Sequence, residues 1–273
     1  MRRLHLITFL LLALAACSAE EPCGAPTPFP APEPAPGEAI DLSHWKLTLP
    51  TDRDNDGVAD ELDPDELKAA LAKDALRPYL YWEEDGALNF FVEPAGGTTP
   101  NSDYPRTELR EQIVPGNDYI NWSLDEGGTL TARLQVLMVS EAEGGKTHRL
   151  SLAQIHAKDG PPFFKLVWQN GILRAEFKKL VSDNTDHEDP ESWEDAEPLY
   201  FENPVGYKPF TLRIHATRER VEVQVNDEVR VFEHEDLEKW PFENYFKAGT
   251  YLFTSEEDAY ASARFYELEV KHP

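Results

Sequence analysis

Short stretches in which apolar and polar residues alternate occupy most of the chain beyond residue 86, and they restrict its fold more than any other feature. Alternation with a period of two places successive side chains on opposite faces of a β-strand. Turn-forming residues separate the stretches, and QNG and VND are typical of tight hairpin turns. The segments that we predict as strands are DLSHWKLTLP, ALNFFVEP, RTELREQIV, GTLTARLQVLMV, HRLSLAQIHA, PFFKLVWQNG, ILRAEFKKL, FTLRIHATRERVEVQVNDEVRVFE, YFKAGTYLF and ASARFYELEVK.

These segments predict an all-β fold, a two-sheet antiparallel β-sandwich of the jelly-roll type with one or two short helices. One helix is expected over residues 64–75, where Pro64 would occupy the first turn and acidic residues lie near the N-terminus. The chain has 273 residues, of which 41% are hydrophobic, and an all-β domain of this size can enclose one core. We place this domain at residues 40–273.

The N-terminal segment has a different composition. MRR, followed by an apolar run that is too short to span a bilayer, predicts a signal peptide over residues 1–16. Its end, LAAC, resembles the lipobox of bacterial lipoproteins. That resemblance implies a lipid on Cys17 and, because Ser18 follows, an outer membrane lipoprotein of a Gram-negative bacterium that faces the periplasm or the cell surface. The alternative is an ordinary secretory signal in which Cys17 is incidental. Residues 17–39 are rich in proline and predict an extended tether.

The formal net charge of −25 restricts the partners of the protein. A surface this acidic argues against nucleic acid, and a polyanionic substrate would need a local cluster of cations. The chain has only two cysteines, one of them the predicted lipid site, so no disulfide is expected within the domain. We expect the protein to be a monomer.

Two predicted strands carry polar side chains on one face. In RTELRE, Arg106, Glu108 and Arg110 share a face, which favours either a solvated groove on a central strand or a charged edge strand. In SLAQIHAKDG, Gln154 and His156 share a face, while the intervening isoleucine faces the other side. That pair belongs either to a polar exterior or to the edge of an active site.

A third segment, NYFKAGTYLF, repeats the pattern. Tyr245, Lys247 and Tyr251 share one face. Gly249 lies between them and removes a side chain where a close approach is needed. The alternative is ordinary cross-strand aromatic packing. Lys165, in PFFKLVWQNG, is a further candidate for binding substrate.

If the three segments lie in one sheet, its open face presents cations, an amide, an imidazole and phenols. This set suits β-elimination from a polymer of uronic acids, in which the C5 proton lies next to a carboxylate and is hard to remove. Arginine and glutamine can neutralise that carboxylate, histidine can accept the proton, and tyrosine can donate to the departing oxygen. Hydrolysis would instead require paired carboxylates, which no strand motif clearly supplies.

RTELRE, QIH and YFKAGTY, in this order, resemble three motifs of the alginate lyases of polysaccharide lyase family 7, and WKLTLP is a fourth similarity. The resemblance covers residues 40–273 and implies a concanavalin-like jelly roll with a substrate groove on its concave sheet. It also implies cleavage of the 1,4 bonds of mannuronate and guluronate polymers by β-elimination, without a cofactor for catalysis. The partner would be alginate or alginate oligosaccharides.

The resemblance implies a role for each matching residue. Arg106 and Gln154 would neutralise the carboxylate. His156 and Tyr251 would act as base and acid, and the tyrosine would take both roles at a mannuronate. Binding of substrate is expected from the other polar residues on these faces: Glu108, Arg110, Lys165, Tyr245 and Lys247.

The last motif departs from the family pattern, because Phe253 stands where the family has glutamine. Phe253 has the same parity as Tyr251, so an apolar contact would replace a polar one in the groove and alter subsite preference. Isoleucine in QIH is a weak indication of guluronate. Two other functions remain open, namely action on another polyuronate such as glucuronan, and carbohydrate binding by a surface lipoprotein without catalysis. The presence of both His156 and Tyr251 argues against the second.

Two acidic segments lie outside these motifs. DRDNDGVADELD has the spacing of an EF-hand-like calcium loop and predicts a structural calcium site remote from catalysis; the alternative is an Asp-rich turn. Residues 182–198 form an acidic insert between strands, which we expect to be a loop over the sheet. The predicted calcium ligands are Asp52, Asp54, Asp56, Asp60 and Asp63.

Overall fold

The computed structural model describes residues 40–100 and 102–273; the predicted signal peptide, tether and lipidation site at Cys17 lie outside the described residues. The helices are α1 (Pro64–Leu71) and two 3₁₀-helices (Pro190–Ser192 and Glu235–Leu237). The strands are β1 (Trp45–Thr48), β2 (Glu61–Leu62), β3 (Leu80–Trp82), β4 (Leu88–Val92), β5 (Arg106–Glu111), β6 (Gly128–Val139), β7 (Leu150–Ala157), β8 (Pro162–Gln169), β9 (Ile172–Leu180), β10 (Trp193–Asp195), β11 (Leu199–Tyr200), β12 (Phe210–Ala216), β13 (Val221–Val225), β14 (Glu228–Phe232), β15 (Asn244–Leu252) and β16 (Ala261–Lys271).

The strands form two sheets, and within each sheet the neighbouring strands pair antiparallel. The nine-stranded sheet has the order β10–β9–β8–β7–β15–β5–β1–β2, with β11 paired to β9. The seven-stranded sheet has the order β14–β13–β12–β6–β16–β4–β3. The predicted two-sheet β-sandwich of the jelly-roll type is therefore confirmed.

Tight turns join the strands where the sequence predicts hairpins. The turn between β8 and β9 places Asn170 at φ 51° and Gly171 at φ 83°, and the turn between β13 and β14 places Asn226 at φ 51°. Asparagine and glycine adopt positive φ at low cost, which suits these two-residue connections. The stretch over residues 210–233 forms three strands, because the predicted VND turn and a second turn before Val221 interrupt the alternation.

The helix α1 is shorter than the sequence predicts. The backbone N–H of Asp63 donates to the Glu66 carboxylate at 3.1 Å and so caps the N-terminus. The helix ends at residue 71 instead of 75, and Asp74 adopts φ 53°, outside the right-handed helical region. Within residues 40–100 and 102–273, no helix is long and apolar enough to cross a membrane.

The apolar faces of the site strands form the core. Leu109 on β5, Ile155 on β7 and Phe246 on β15 are fully buried and belong to one hydrophobic cluster. Burial of each such side chain stabilises the fold by about 1.5–3 kcal/mol. Because side chains alternate along a strand, this packing fixes which face of the nine-stranded sheet carries the polar residues.

Strand β5 is central, since it pairs with β15 on one side and β1 on the other. The alternative of an edge strand for RTELRE is therefore wrong. Gly249 explains how β15 lies so close to β5. Its φ is 145°, and a Cβ there would lie 2.5 Å from the carbonyl oxygen of Thr107. The sequence predicts a close approach at this glycine, and in the structure it is the neighbouring strand β5 that approaches.

Candidate active site

The three polar rows predicted from the sequence lie side by side on one face of the nine-stranded sheet. Tyr245 lies opposite His156 of β7, and Lys247 lies between Gln154 of β7 and Arg110 of β5. The face opens into a groove, whose lining includes Lys46, Thr48, Ser102, Arg106, Arg110, Gln154, His156, Tyr245, Lys247 and Tyr251.

Glu108 lies at the centre of the site and is fully buried. Its carboxylate accepts a hydrogen bond from Gln154 Nε2 at 2.5 Å, and it pairs with Lys247 Nζ at 2.5 Å and Arg106 Nη1 at 3.5 Å. Burial raises the pKa of Glu108, but the charges of Lys247 and Arg106 outweigh burial and hold that pKa below its usual range. The predicted substrate contact of Glu108 stays a prediction, and what the structure shows is that Glu108 holds its three neighbours in place.

Arg106 and Gln154 have donors that can bind a carboxylate. Both line the groove, and the Nε atom of Arg106 has no hydrogen-bond partner among the described residues. The amide nitrogen of Gln154 has two N–H groups, of which one donates to Glu108, so the second is left for a ligand. A uronate carboxylate placed here would accept a charge-assisted hydrogen bond from Arg106 and a neutral one from Gln154.

His156 has the tautomer and charge of a general base. Its Nδ1 lies 2.9 Å from the carbonyl oxygen of Ala157, an acceptor, so Nδ1 carries the proton and Nε2 carries a lone pair. Burial, with the positive charge of Lys247, lowers the pKa of His156 to about 3, and the ring is therefore neutral at pH 7. A neutral imidazole with a free Nε2 can accept a proton from a substrate in the groove.

The ring of Tyr245 connects His156 to Arg110. It stacks on the His156 ring with centroids 5.4 Å apart and planes 10° apart, while the guanidinium carbon of Arg110 lies 4.0 Å from its centre. Arg110 also donates to the Asp118 carbonyl oxygen at 2.9 Å and to Asn121 Oδ1 at 3.0 Å, which ties the loop after β5 to the groove. Burial raises the pKa of Tyr245 to about 12, so this phenol stays protonated.

Tyr251 is held from two sides. The guanidinium carbon of Arg106 lies 4.0 Å from the centre of its ring, and its hydroxyl lies 2.9 Å from Ser102 Oγ. No motif in the sequence indicates Ser102, which belongs to the loop before β5 and lies 149 positions from Tyr251. This hydroxyl orients the phenolic O–H.

The two lysines predicted to bind sugars differ in position. Lys247 lines the groove next to Glu108, and burial lowers its pKa to about 8. Lys165 lies one strand further out, on β8, where it pairs in register with Gln154. Its Nζ lies 3.8 Å from Glu176 Oε2 and 5.6 Å from the centre of the Phe253 ring, so it faces the margin of the site.

The predicted calcium loop is assembled only in part. Asp52, Asp54 and Asp56 have carboxylate oxygens within 4.8 Å of one another. Asp60 instead forms an ion pair with a neighbouring arginine at 2.8 Å, and Asp63 precedes α1 as its N-cap residue. The calcium site stays a prediction, and the carboxylates that lie close enough together to share an ion are those of Asp52, Asp54 and Asp56.

The acidic insert is anchored to the sheet edge. Trp193–Asp195 form strand β10 against β9, and the side chain of Trp193 is buried. Pro190 and Glu191 line an extension of the groove that also includes His156. We expected the acidic insert to be a loop over the sheet. It instead contributes a strand to the sheet edge and forms one wall of the groove beyond His156.

Comparison with known proteins agrees with this geometry. A family model described as alginate lyase matches residues 40–272. An alginate lyase from Klebsiella pneumoniae is 28% identical, over 87% of this chain and 91% of that protein. The crystal structure of alginate lyase A1-II′, a member of polysaccharide lyase family 7, is 30% identical with a TM-score of 0.71, over 88% of this chain and 99% of that one.

A variant of A1-II′ with a histidine-to-asparagine and a tyrosine-to-phenylalanine substitution has been solved in complex with the substrate GGMG. It is 29% identical to this chain with a TM-score of 0.69, over 87% of this chain and 96% of that one. The match of the family model to nearly the whole described region, together with these relatives, shows that this chain belongs to the alginate lyase family, within polysaccharide lyase family 7.

Proposed function

We propose that this protein cleaves the 1,4 glycosidic bonds of alginate by β-elimination and leaves an unsaturated uronate at the new non-reducing end. One observation carries the proposal: a neutral His156 with a free Nε2 shares a groove with the Tyr251 hydroxyl and with the carboxylate receptor of Arg106 and Gln154. The relative solved with GGMG carries substitutions of a histidine and a tyrosine, the two residue types to which we assign proton transfer.

The reaction begins at the carboxylate of the uronate that Arg106 and Gln154 hold. Neutralising this carboxylate stabilises the negative charge that develops when the C5 proton leaves. At a guluronate, His156 Nε2 accepts the C5 proton, and the electron pair of that C–H bond forms the C4=C5 double bond. The C4–O bond breaks, and its oxygen takes a proton from the Tyr251 hydroxyl. At a mannuronate, Tyr251 serves as both base and acid.

The positive charge of the groove is what allows a polyanion to bind to this chain. The protein as a whole has a formal net charge of −25, so alginate is repelled by most of its surface. Arg106, Arg110 and Lys247 concentrate cations on one face of one sheet. The buried Glu108 fixes Arg106 and Lys247 in place.

The decisive experiment follows the ultraviolet absorbance of unsaturated uronates when the purified domain meets alginate, poly-mannuronate, poly-guluronate and glucuronan. We expect a rise with alginate and its fractions, and a loss of about 10²–10⁴-fold in Tyr251→Phe and, on poly-guluronate, in His156→Asn. A folded protein that produces no rise on any alginate fraction would exclude the proposal. A rise on glucuronan alone would support the alternative polyuronate, and binding of alginate without any rise would support a carbohydrate-binding lipoprotein.

We propose further that the chain is a monomeric outer membrane lipoprotein anchored through Cys17. The LAAC sequence and the proline-rich stretch after it support this location. Growth with a labelled fatty acid should label the wild type and leave Cys17→Ser unlabelled, with the label in the outer membrane fraction. Equal labelling of the two proteins would contradict the anchor, and light scattering of the domain at twice the monomer mass would contradict the monomer.

A further inference from the structure

A group of cationic and aromatic side chains lies beyond Tyr251, and the mechanism above uses none of it. We call it the Phe253 platform. Along β15, Tyr245 lies opposite His156 and Tyr251 lies six residues further on, so Phe253 comes past Tyr251 at the far end from His156. The platform consists of Tyr104, Arg149, Lys165 and Phe253.

The Phe253 ring organises the platform. The guanidinium carbon of Arg149 lies 4.7 Å from the ring centre, and Lys165 Nζ lies 5.6 Å from it. Both distances lie within the range in which a cation is attracted to an aromatic face. The backbone N–H of Phe253 also donates to the Arg149 carbonyl oxygen at 3.0 Å, which fixes the two residues relative to each other. Glutamine, the family residue at this position, has no ring to hold these cations.

Positive charge exceeds negative charge around the platform. Glu176 is the carboxylate in contact with it, and this one acid pairs with three cations, namely Arg149 at 3.0 Å, Arg174 at 2.7 Å and Lys165 at 3.8 Å. Burial lowers the pKa of Lys165, although the negative charges of Glu176 and Asp195 oppose that shift. The Arg149 side chain is 42% exposed, so a ligand can reach it. The carboxylate of a bound uronate would offset part of the excess positive charge.

We propose that Arg149 and Lys165, held over Phe253, bind the carboxylate of a uronate unit next to the one that Arg106 and Gln154 hold. The platform is adjacent to the catalytic tyrosine, because the ring centres of Tyr251 and Phe253 lie 4.7 Å apart. The unit that binds there is therefore an immediate neighbour in the polymer. This inference rests on the proposed function and makes it more specific, because it names a second uronate carboxylate that the groove binds.

The test measures kcat and KM of the guluronate hexamer for the wild type, Arg149→Gln and the double variant Arg149→Gln/Lys165→Met. In the double variant, KM should rise about 5–10-fold while kcat changes little, because the platform binds a neighbouring unit and not the reacting one, and Arg149→Gln should give a smaller rise. Phe253→Gln should give a smaller rise for the hexamer, because both cations remain but lose their support. Arg213→Gln is the matched control, since Arg213 has the same 42% side-chain exposure but lies on β12 of the other sheet.

Two results would overturn the inference. One is an unchanged KM of the hexamer in the double variant, and the other is a fall in kcat with little change in KM, which would place the two cations at the reacting unit. If the wild type cleaves no alginate, the proposed function fails on its own. The inference is then tested by calorimetric binding of the hexamer, where equal affinity of the wild type and the double variant would overturn it.

Discussion

Two glutamates on strand β5 are both buried, yet they serve opposite faces of the same sheet. Glu108 is 0% exposed and faces the groove, surrounded by an amide and two cations. Glu111 is 4% exposed and faces the core. Its Oε1 lies 2.6 Å from His272 Nε2. Its Oε2 accepts from Trp122 Nε1 at 3.1 Å and from the Phe246 backbone N–H at 2.9 Å.

The two glutamates differ in whether their hydrogen-bonding partners can also contact a substrate. A buried carboxylate is costly unless it is paired and hydrogen-bonded, and both glutamates meet that requirement. The partners of Glu108 are side chains that line an open groove and keep donors for a substrate. The partners of Glu111 are an indole, a backbone amide and a histidine near the C-terminus, and these hold the sheet together. Both glutamates are therefore buried and paired. They differ in whether their partners line the groove, so Glu108 supports the site and Glu111 supports the fold.

Glu108→Gln should have the largest effect. It removes the carboxylate that pairs with Lys247 and Arg106 in the buried centre of the site, and breaking a buried pair in this way costs about 3–5 kcal/mol of unfolding free energy. Because Arg106 and Gln154 also lose their anchor, kcat should fall by about 100-fold or more. Urea unfolding and the ultraviolet assay measure the two effects. Near-normal turnover in the folded variant would mean that Glu108 does not position the receptor.

Glu111→Gln is the matched variant on the same strand. It should lower the unfolding free energy by about 1–3 kcal/mol, since the ion pair with His272 and the good geometry of its other contacts are lost. The side chains that line the groove lie on the opposite face and keep their contacts, so kcat of the folded variant should stay close to that of the wild type. If kcat falls as far as in Glu108→Gln, the distinction between the two glutamates is wrong.

His272, which contacts Glu111, and His156, which lines the groove, make the stability of the protein depend on pH in opposite directions. Burial opposes the charge of His272, but its hydrogen bond to Glu111 outweighs burial and raises the pKa. The resulting stabilisation is complete below the unfolded pKa of about 6.5 and is lost as pH rises through the folded value. Burial lowers the pKa of His156 to about 3, so the unfolded chain binds more protons than the folded one between about pH 6.5 and 3. Stability therefore falls as pH falls through that window.

Melting temperatures between pH 3 and 9 separate these two contributions. His272→Asn should flatten the loss of stability above about pH 6.5, and His156→Asn should flatten the loss below it. Each variant is the control for the other. His272→Asn should keep the loss of stability at acidic pH, and His156→Asn should keep the loss above about pH 6.5. Identical profiles for the two variants would contradict the assignment of the limbs.

Strand parity was enough to predict which side chains share a face, because a period of two is a local property of the chain. It grouped Gln154 with His156 and Tyr245 with Tyr251, and the structure places them together. Parity does not report depth, so it did not distinguish Glu108, beneath the groove, from the residues that line it. It also could not predict the contact of Ser102 with Tyr251, since that contact depends on how a distant loop folds over the sheet.

Calcium should have the smallest effect of the changes considered. Asp52, Asp54 and Asp56 can supply three carboxylates, whereas high-affinity calcium loops use six to eight oxygen ligands. Millimolar affinity at about 10 mM calcium corresponds to roughly 1.4 kcal/mol, which raises the melting temperature by roughly 3–6 °C. Asp54→Asn should abolish this rise, and Asp258→Asn, which changes an exposed acid elsewhere, should preserve it. Equal melting temperatures with calcium and with chelator would identify the segment as an Asp-rich turn. That outcome would also leave the groove unaffected, because none of these three carboxylates lines it.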